Sequence, residues 1–265
     1  MKRIMAIILA CVLAFGMSAA SAEDVDLNAL FQEARQASAD GDAAKANALF
    51  EQLYALGDYR GAEMLASAYQ NGDGVEQSYT KAMEWNFKAV NMGSGRGWAN
   101  VGQMYEKGQG VPQSSEKAVM FYTLSMDSAL SNPDFKGPRY AGVLYENGFV
   151  NDAGETVQDM EKAAECYLIA ADHGDVTGCA YIGRLYQEGT GVEQNYELAA
   201  KYYLSALGGD HIVPGMAEAS FGMGYLYENG LGVEKNLEEA LACYQLAADN
   251  GVEAAQEAVT RLSNQ

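Results

Sequence analysis

A serine and a lysine with a spacing typical of nucleophilic catalysis lie in the stretch GDGVEQSYTKA, at Ser78 and Lys81. Serine acylases that attack β-lactams use a Ser-x-x-Lys pair, in which the lysine lies near the serine in the active site. The same two residues could instead have a structural role that follows from their place in a regular fold. Which role applies decides whether the chain is an enzyme or a scaffold.

Internal repeats account for most of the sequence. The phrases GDGVEQ at 72, GQGVPQ at 108, GTGVEQ at 189 and GLGVEK at 230 are variants of one motif, and a degenerate copy starts at 148. A tyrosine stands three residues before each phrase, and a small residue three before that tyrosine: Ala66, Gly102, Gly142, Gly183 and Gly224. Spacings of three and four predict one face of a helix. The small residues would let a second helix approach closely, and the following glycine would end the first helix.

A second helix is predicted in each unit by a recurring alanine, followed three or four residues later by bulky side chains such as Trp85, Tyr167 and Tyr244. Four residues before that alanine stands a residue that favours the N-cap of a helix. The six predicted caps are Asp42, Ser78, Ser114, Asp159, Asn195 and Asn236. A nucleophile could not alternate with Asn and Asp at equivalent positions. Ser78 is therefore interpreted as a helix cap, although the helix dipole does not explain Lys81 or Lys117 in the first turn.

These patterns predict an all-α protein, a right-handed solenoid of antiparallel helix–turn–helix repeats stabilised by neighbour-to-neighbour packing. We expect a capping hairpin over 23–58, five repeats over 59–251 and a capping helix over 252–265. The repeat is 36 residues long, with insertions near 130–137, 149–154 and 208–215 that fall in loops between helices.

The N-terminus has the features of a secretory signal peptide: a basic start, an apolar run and the small residues Ala20-Ser21-Ala22. We expect cleavage after Ala22 and a periplasmic or secreted protein. The alternatives are a membrane anchor, for which the apolar run is short, and lipidation at Cys11. No later segment is expected to insert in a membrane.

Charge and composition exclude several function classes. The chain has 36 acidic and 17 basic residues, and loss of Lys2 and Arg3 with the signal peptide would take the formal charge from −19 to −21. Such a field repels nucleic acids and anionic lipids. The only histidines are His173 and His211, and metal-binding and phosphate-loop motifs are missing, so we expect neither a metal nor a cofactor.

The recurring pattern L-G-x-x-Y-x-x-G-x-G-V, followed by x-K-A-x-x-x-Y-x-x-A-A, resembles the Sel-one-like repeat (SLR) family, which is related to tetratricopeptide repeats. The stretches at 182–207 and 223–251 carry the pattern most fully, and the resemblance covers about residues 60–251. It implies an α-solenoid that holds another protein, in the secretory pathway or the bacterial envelope. A cysteine-rich branch of the family is linked to β-lactam binding, which supplies the alternative function, a β-lactam-type hydrolase.

In that cysteine-rich branch, a disulfide joins a second helix to the next first helix. Cys179 matches one of its sites, but Ala171 occupies the other, so the resemblance implies no such bridge. Cys166 and Cys243 hold equivalent places in units two apart, too far apart to pair. We interpret Cys166, Cys179 and Cys243 as unpaired core thiols; a Cys166–Cys179 bridge is the rival.

Related tetratricopeptide solenoids bind ligands on the concave side, which the first helices line. Transferring that geometry predicts a near-neutral, arginine-bearing groove on an otherwise acidic protein. Arginines in it would grip carboxylates of a peptide or protein partner, and aromatic residues would anchor one end. The predicted binding residues are Arg60, Arg96, Lys107, Lys136, Arg139, Arg184, Phe221 and Tyr225. The alternative is that the arginines only offset neighbouring Glu in surface pairs.

The favoured function is a non-catalytic scaffold or regulator in the bacterial envelope, with no catalytic residue. A structural part of an envelope assembly is a third reading. The sequence names neither the partner nor the oligomeric state.

Overall fold

The helices begin and end where the repeated caps place them. The computed structural model describes residues 25–127, 130, 132–208 and 215–264. The predicted signal peptide over 1–22, with Cys11, and His211 lie outside these residues. Thirteen α-helices and one two-stranded hairpin are present in the described part. The all-α prediction is therefore confirmed, with the hairpin as a small exception. The chain divides into two compact units, and the boundary along the sequence lies between Asp134 and Phe135.

The first unit contains six helices, each packed on the next one in sequence. They are α1 (Leu27–Ala39), α2 (Ala43–Ala55), α3 (Tyr59–Asn71), α4 (Tyr79–Asn91), α5 (Gly95–Lys107) and α6 (Ser115–Leu124). Helices α1 and α2 form the predicted opening hairpin, whose core is built around Ala34, Phe50 and Leu53 and continues into α3 at Leu65. Because each helix is only 10 to 13 residues long, packing between neighbours must supply the stability that an isolated helix lacks.

The second unit contains seven helices with the same neighbour-to-neighbour packing. They are α7 (Lys136–Asn147), α8 (Met160–Asp172), α9 (Val176–Glu188), α10 (Tyr196–Leu207), α11 (Met216–Asn229), α12 (Leu237–Asp249) and α13 (Glu253–Ser263). Helix α13 covers the apolar end of α12 through Ala255 and Ala258. Sequential packing of helix pairs is the arrangement of an α-solenoid.

One of the predicted insertion loops has regular structure. Between α7 and α8 the strands β1 (Phe149–Val150) and β2 (Thr156–Val157) pair antiparallel. The Asn151 side chain closes the turn by accepting from the backbone N–H groups of Ala153 and Glu155. Five residues between two β-prone pairs are enough for a hairpin, a signal that the insertion reading overlooked.

Four of the five repeats are held together by a tyrosine of the second helix lying on a glycine of the first. A Cβ atom added to Gly142 would come within 2.6 Å of the Tyr167 ring, and one added to Gly183 within 2.8 Å of the Tyr203 ring. The same contact joins Gly102 to Tyr122 and Gly224 to Tyr244. The missing side chain therefore lets the two helices approach to the thickness of a ring.

The buried phenol groups are satisfied by the residue that follows the repeat tyrosine on the first helix. The Tyr167 hydroxyl donates to Glu146 at 2.7 Å and the Tyr244 hydroxyl to Glu228 at 2.9 Å. Tyr122 donates to Glu106, and Tyr203 to Gln187 at 3.0 Å. Burial, followed by the contact with Glu146, raises the pKa of Tyr167. The tyrosine thus closes each repeat at two points, by ring packing and by a hydrogen bond.

The first repeat uses a different pair. Ala66 stands where the other repeats have glycine, and the smaller Asn86 stands where they have tyrosine. Asn86 is fully buried and accepts a hydrogen bond from Asn100 at 3.0 Å. The extra methyl group on one helix is therefore matched by a smaller side chain on the other, as close packing requires.

We expect Gly102→Ala to lower the unfolding midpoint, although alanine favours a helix by about 1 kcal/mol over glycine. Its Cβ would lie 2.7 Å from the Tyr122 ring, and overpacking of this kind costs about 1–3 kcal/mol. Adding Tyr122→Asn recreates the Ala66–Asn86 pair. Thermal unfolding of both single variants and of the double variant should show that the two losses are less than additive by about 1 kcal/mol or more. Strictly additive losses would contradict the ring-on-glycine account.

Candidate binding face of the first helices

The eight predicted binding residues fall into two sets, because the first helices of the repeats are divided between the two units. Arg60, Arg96 and Lys107 lie on α3 and α5 of the first unit. The second unit carries the remaining residues on α7, α9 and α11: Lys136, Arg139, Arg184, Phe221 and Tyr225. Within each unit, the contacts of these residues divide them into bound and accessible groups.

Arg60 is bound within the first unit. Its guanidinium holds both carboxylate oxygens of Asp58, the N-cap of its own helix, through Nε at 3.0 Å and Nη2 at 2.5 Å. Nη1 donates to Asn28, and the guanidinium lies 4.6 Å from the centre of the Phe31 ring. Asp58 is buried, so a ligand that took Arg60 would leave a buried carboxylate without its cation.

Arg139 joins one repeat to the next. Its Nε atom lies 3.0 Å from Oδ1 of Asp175, and both side chains are largely buried. Asp175 is the N-cap of α9 and also accepts from the backbone N–H of Gly178 at 2.6 Å. The arginine therefore fixes the start of the following first helix and has a structural role.

The first unit contains the chemical inverse of this contact. Glu63 occupies the position of Arg139 in its repeat, three residues before the small residue, and the next N-cap is Ser94. The Ser94 hydroxyl donates to Glu63 at 2.5 Å and accepts from the Gly97 N–H at 3.0 Å. Burial raises the pKa of Glu63, and the bond from Ser94 opposes that rise. A cap that only accepts is thus paired with arginine, and a cap that can also donate is paired with glutamate. We call each of these two contacts an inter-repeat clasp.

Arg184 lies between two carboxylates in the second unit. Nη2 is 2.5 Å from Glu146, which also accepts from Tyr167, and Nη1 is 3.1 Å from Glu188 on the same helix. It is half-buried, and its charge is already neutralised. Arg184 therefore offsets neighbouring Glu side chains as the alternative expects, whereas Arg60 and Arg139 pair with largely buried Asp side chains.

The aromatic residues of the predicted anchor differ in exposure. The Phe221 ring packs 5.5 Å from the Tyr244 ring and joins the core formed with α13. Tyr225, one turn further along α11, is 40% exposed. Of the two, only Tyr225 is exposed to a partner.

The remaining three residues are cations that point outward. Arg96 has an exposed side chain (63%), and its nearest carboxylate is Glu63 at 4.0 Å. Lys107 is exposed at the end of α5, and Lys136 is exposed at the start of α7. These side chains are more exposed than those of the paired arginines.

The six predicted cap residues all precede second helices, and each side chain accepts a backbone N–H in the first turn. Ser78 Oγ accepts from the N–H of Lys81 at 3.3 Å, and Ser114 Oγ from the N–H of Lys117 at 3.2 Å. The serine of the Ser-x-x-Lys spacing is thus an N-cap, as its equivalents Asp159 and Asn195 are.

The lysines in this spacing have a structural partner of their own. Lys81 lies 5.1 Å from the centre of the Tyr69 ring, Lys117 5.8 Å from Tyr105, and Lys162 5.4 Å from Tyr145. Each places its charge over the repeat tyrosine of the first helix. This contact explains a cation in the first turn, where the helix dipole alone disfavours it.

The three cysteines of the described chain are free. Burial raises the pKa of Cys166 and of Cys243 to about 11, and it also raises the pKa of Cys179. A thiol with a raised pKa carries little thiolate and reacts poorly. Cys179 is buried, and Cys166 and Cys243 are partly buried, so the placement of the thiols agrees with the interpretation as unpaired thiols in or near the core.

No group of three or more metal-ligating side chains occurs among the described residues. None of the described helices combines the length and apolarity needed to cross a bilayer. The face offers exposed cations, amides and one tyrosine, which can bind carboxylates and backbone groups.

Sequence reasoning missed the caps of the first helices, Asp58, Ser94 and Asp175. A signal for them exists, because each stands eight residues before the small residue of its repeat. Asp58 pairs with Arg60 two residues away, at the start of the same helix. Ser94 and Asp175 pair with Glu63 and Arg139 of the preceding repeat, and periodicity alone does not provide that register.

A family model described as Sel1 repeat matches the chain five times, over residues 60–94, 99–127, 139–175, 176–210 and 217–252. These segments coincide with the five helix pairs from α3 to α12. A comparison with curated proteins found no match.

Solved structures with the same fold were found. One is a Sel1 repeat protein from Oxalobacter formigenes, 25% identical, with a TM-score of 0.67 over 85% of this chain and 86% of that one. Another is c5321, a protective antigen of uropathogenic Escherichia coli strains that displays an SLR fold, 25% identical, with a TM-score of 0.68 over 89% of this chain. The match covers 51% of that antigen, so this chain spans about half its length.

We expect Ser78→Asp to retain the unfolding midpoint of the wild type, because aspartate caps helices as well as serine does. Ser78→Ala should cost about 1 kcal/mol by leaving a first-turn N–H without its acceptor. Thermal unfolding of the two variants tests the cap. A stable Ser78→Ala protein beside a destabilised Ser78→Asp protein would contradict it.

We expect Arg139→Glu to destabilise the second unit by about 3 kcal/mol or more, because it sets two carboxylates against each other in a largely buried contact. Adding Asp175→Ser should restore most of the loss, since the pair then has the chemistry of Glu63 and Ser94. Unfolding midpoints of the single and double variants measure the recovery. If the double variant is no more stable than Arg139→Glu alone, the clasp does not have the assigned role.

Proposed function

Because the chain belongs to the Sel1 repeat family, we propose that it is a non-catalytic binding protein of the bacterial envelope that holds a peptide or protein partner on its first helices. Sel1 repeat proteins are commonly protein-interaction scaffolds, and the family therefore supports binding as the general activity. The choice of face, the location and the chemistry of the partner are inferred from this chain.

The observation that carries the proposal is a division of positions within the repeat. The packing positions barely change from repeat to repeat, as the ring-on-glycine contact shows. Other positions on the first helices differ more between repeats. Six residues before the small residue stand Arg60, Arg96, Lys136, Thr177 and Glu218, and one after it Ser67, Gln103, Val143, Arg184 and Tyr225. A scaffold needs constant packing and a variable surface, and that is the pattern found.

The envelope location rests on the predicted signal peptide over 1–22. Three unpaired thiols with raised pKa values are compatible with export, because buried thiols resist oxidation. The proposed mature protein begins at Glu23 and is periplasmic or secreted.

Ser78 and Ser114 do not support the hydrolase alternative. Both hydroxyl groups accept from the backbone of their own helix, and Lys81 and Lys117 lie over tyrosine rings. A nucleophilic serine would need a base that takes its proton, and the lysine of the spacing is directed elsewhere.

Affinity capture tests the proposal with the mature chain as bait and an envelope extract of the source organism. The first-helix variant carries Arg96→Glu, Lys136→Glu and Tyr225→Ser, which alter exposed residues in both units. We expect it to lose the partner that the wild type retains, because charge and an exposed ring on the proposed face are removed.

The matched control carries Lys45→Glu, Lys235→Glu and Leu204→Ser, three exposed positions away from the first helices of the repeats. It makes the same change in charge and also removes one exposed apolar side chain, and it should retain the partner. Equal capture by the wild type and both variants, or loss by the control alone, would place recognition elsewhere and refute the proposed face.

A further inference from the structure

An outward stripe on α5 in the first unit has the properties of a site for an extended acidic segment. It consists of Arg96, Gln103 and Lys107, which we call the α5 stripe. Residues 96, 103 and 107 are separated by seven and four positions, so they lie within a narrow arc of one helix face. The charged ends are exposed, and Gln103 between them is half-buried. The three stripe residues include no carboxylate, and the neighbouring Glu106 is directed to the Tyr122 hydroxyl.

Arg96 is poorly explained by the stability of the helix. It lies in the first turn of α5, where the helix dipole disfavours a cation. Its nearest carboxylate, Glu63, is 4.0 Å away and is already bonded to Ser94. The arginine is also the most exposed of the groove cations that form an ion pair. A surface contact of this kind contributes little to folding.

The other two members of the stripe are also without internal partners. Lys107 forms no ion pair, and Gln103 no side-chain hydrogen bond, with any residue that the structure describes. The position of Lys107 in the last turn suits the helix dipole, so Arg96 is the residue that distinguishes the stripe.

Most other cations of the first unit are engaged inside the protein, and this contrast sets Arg96 and Lys107 apart. Arg60 binds Asp58, and Lys45 contacts Glu33. The remaining engaged lysines lie over aromatic rings: Lys81 over Tyr69, Lys88 over Trp85 and Lys117 over Tyr105.

From these observations we propose that the α5 stripe binds an extended peptide segment with two carboxylates, one at Arg96 and one at Lys107. Eleven residues of helix separate the cations by about 16 Å, which is the reach of roughly five residues of extended chain. Arg96 can hold a carboxylate through two N–H groups, and the Gln103 amide can bond the peptide backbone between the two acids. This inference rests on the proposed function and specifies its ligand.

A blocked, fluorescent peptide tests the proposal by anisotropy with the mature chain. The probe has the sequence Ala-Glu-Ser-Thr-Ser-Thr-Glu-Ala, and the comparison peptide has Gln in place of both Glu residues. We expect the Glu peptide to bind at least tenfold more tightly. Arg96→Gln and Lys107→Gln should each weaken it about tenfold, and the double variant roughly a hundredfold.

A variant with both stripe charges reversed distinguishes a loss of binding from a loss of folding. The Arg96→Glu, Lys107→Glu protein should lose the Glu peptide and gain affinity for the same peptide with Lys at both positions. Lys235→Gln, which removes one exposed charge from the second unit, should leave binding of the Glu peptide unchanged. Unfolding midpoints should match the wild type, because neither cation of the stripe is buried.

The proposal is overturned if the Glu and Gln peptides bind equally, or if the double Gln variant binds the Glu peptide as the wild type does. If this happens while the first-helix variant still loses its envelope partner, the proposed function stands and the assignment to the α5 stripe is wrong. If the peptide binds as expected but the first-helix variant captures the envelope partner as the wild type does, the α5 stripe remains a peptide site and the proposed function is wrong.

Discussion

The packing of a tyrosine ring on a glycine is the contact on which each full repeat depends. It sets the distance between the two helices, and the phenol group then reaches a glutamate or glutamine on the first helix. A helix of about a dozen residues is only marginally stable by itself. A contact that fixes its partner helix at two points therefore has a large effect on the stability of the repeat. The first repeat supports this dependence. Ala66 takes the place of the glycine there, and it is accommodated only because Asn86 is smaller than tyrosine.

Local signals in the sequence were sufficient for the helices and the caps of the second helices. Ser78 and Asn195 could be identified because cap, alanine and bulky residue recur at fixed offsets. The clasp between Arg139 and Asp175 could not, because its two members lie in different repeats and change identity at the equivalent Glu63–Ser94 contact. The predicted groove failed to distinguish bound from accessible arginines for the same reason. Ion pairing depends on which side chains meet, either nearby in one helix, as Arg60 and Asp58 do, or across repeats, as Arg139 and Asp175 do. Periodicity reports only which face each residue occupies.

The scarcity of cations gives their placement physical meaning. In a chain with 36 acidic and 17 basic residues, a cation near a carboxylate reduces the self-repulsion of the folded state. Arg60, Arg139 and Arg184 lie where they neutralise carboxylates that packing has buried or half-buried. The lysines over Tyr69 and Tyr105 keep their charge beside a ring and lose little hydration. The internal contacts thus account for most of these cations without any ligand.

An acidic protein that binds an acidic segment must overcome a repulsive field, and the distances involved show how it can. At physiological salt, charges more than about 8 Å apart are largely screened, whereas a carboxylate that contacts Arg96 is held at hydrogen-bond distance. The acids nearest the stripe are already engaged, Glu63 by Ser94 and Glu106 by Tyr122. The net charge therefore slows the approach of an acidic partner more than it weakens the bound state. Raising salt would speed association by removing long-range repulsion and at the same time speed dissociation by weakening the two contacts. Affinity in such a complex is governed by a few local cations, and the overall charge of the chain is a poor guide to it.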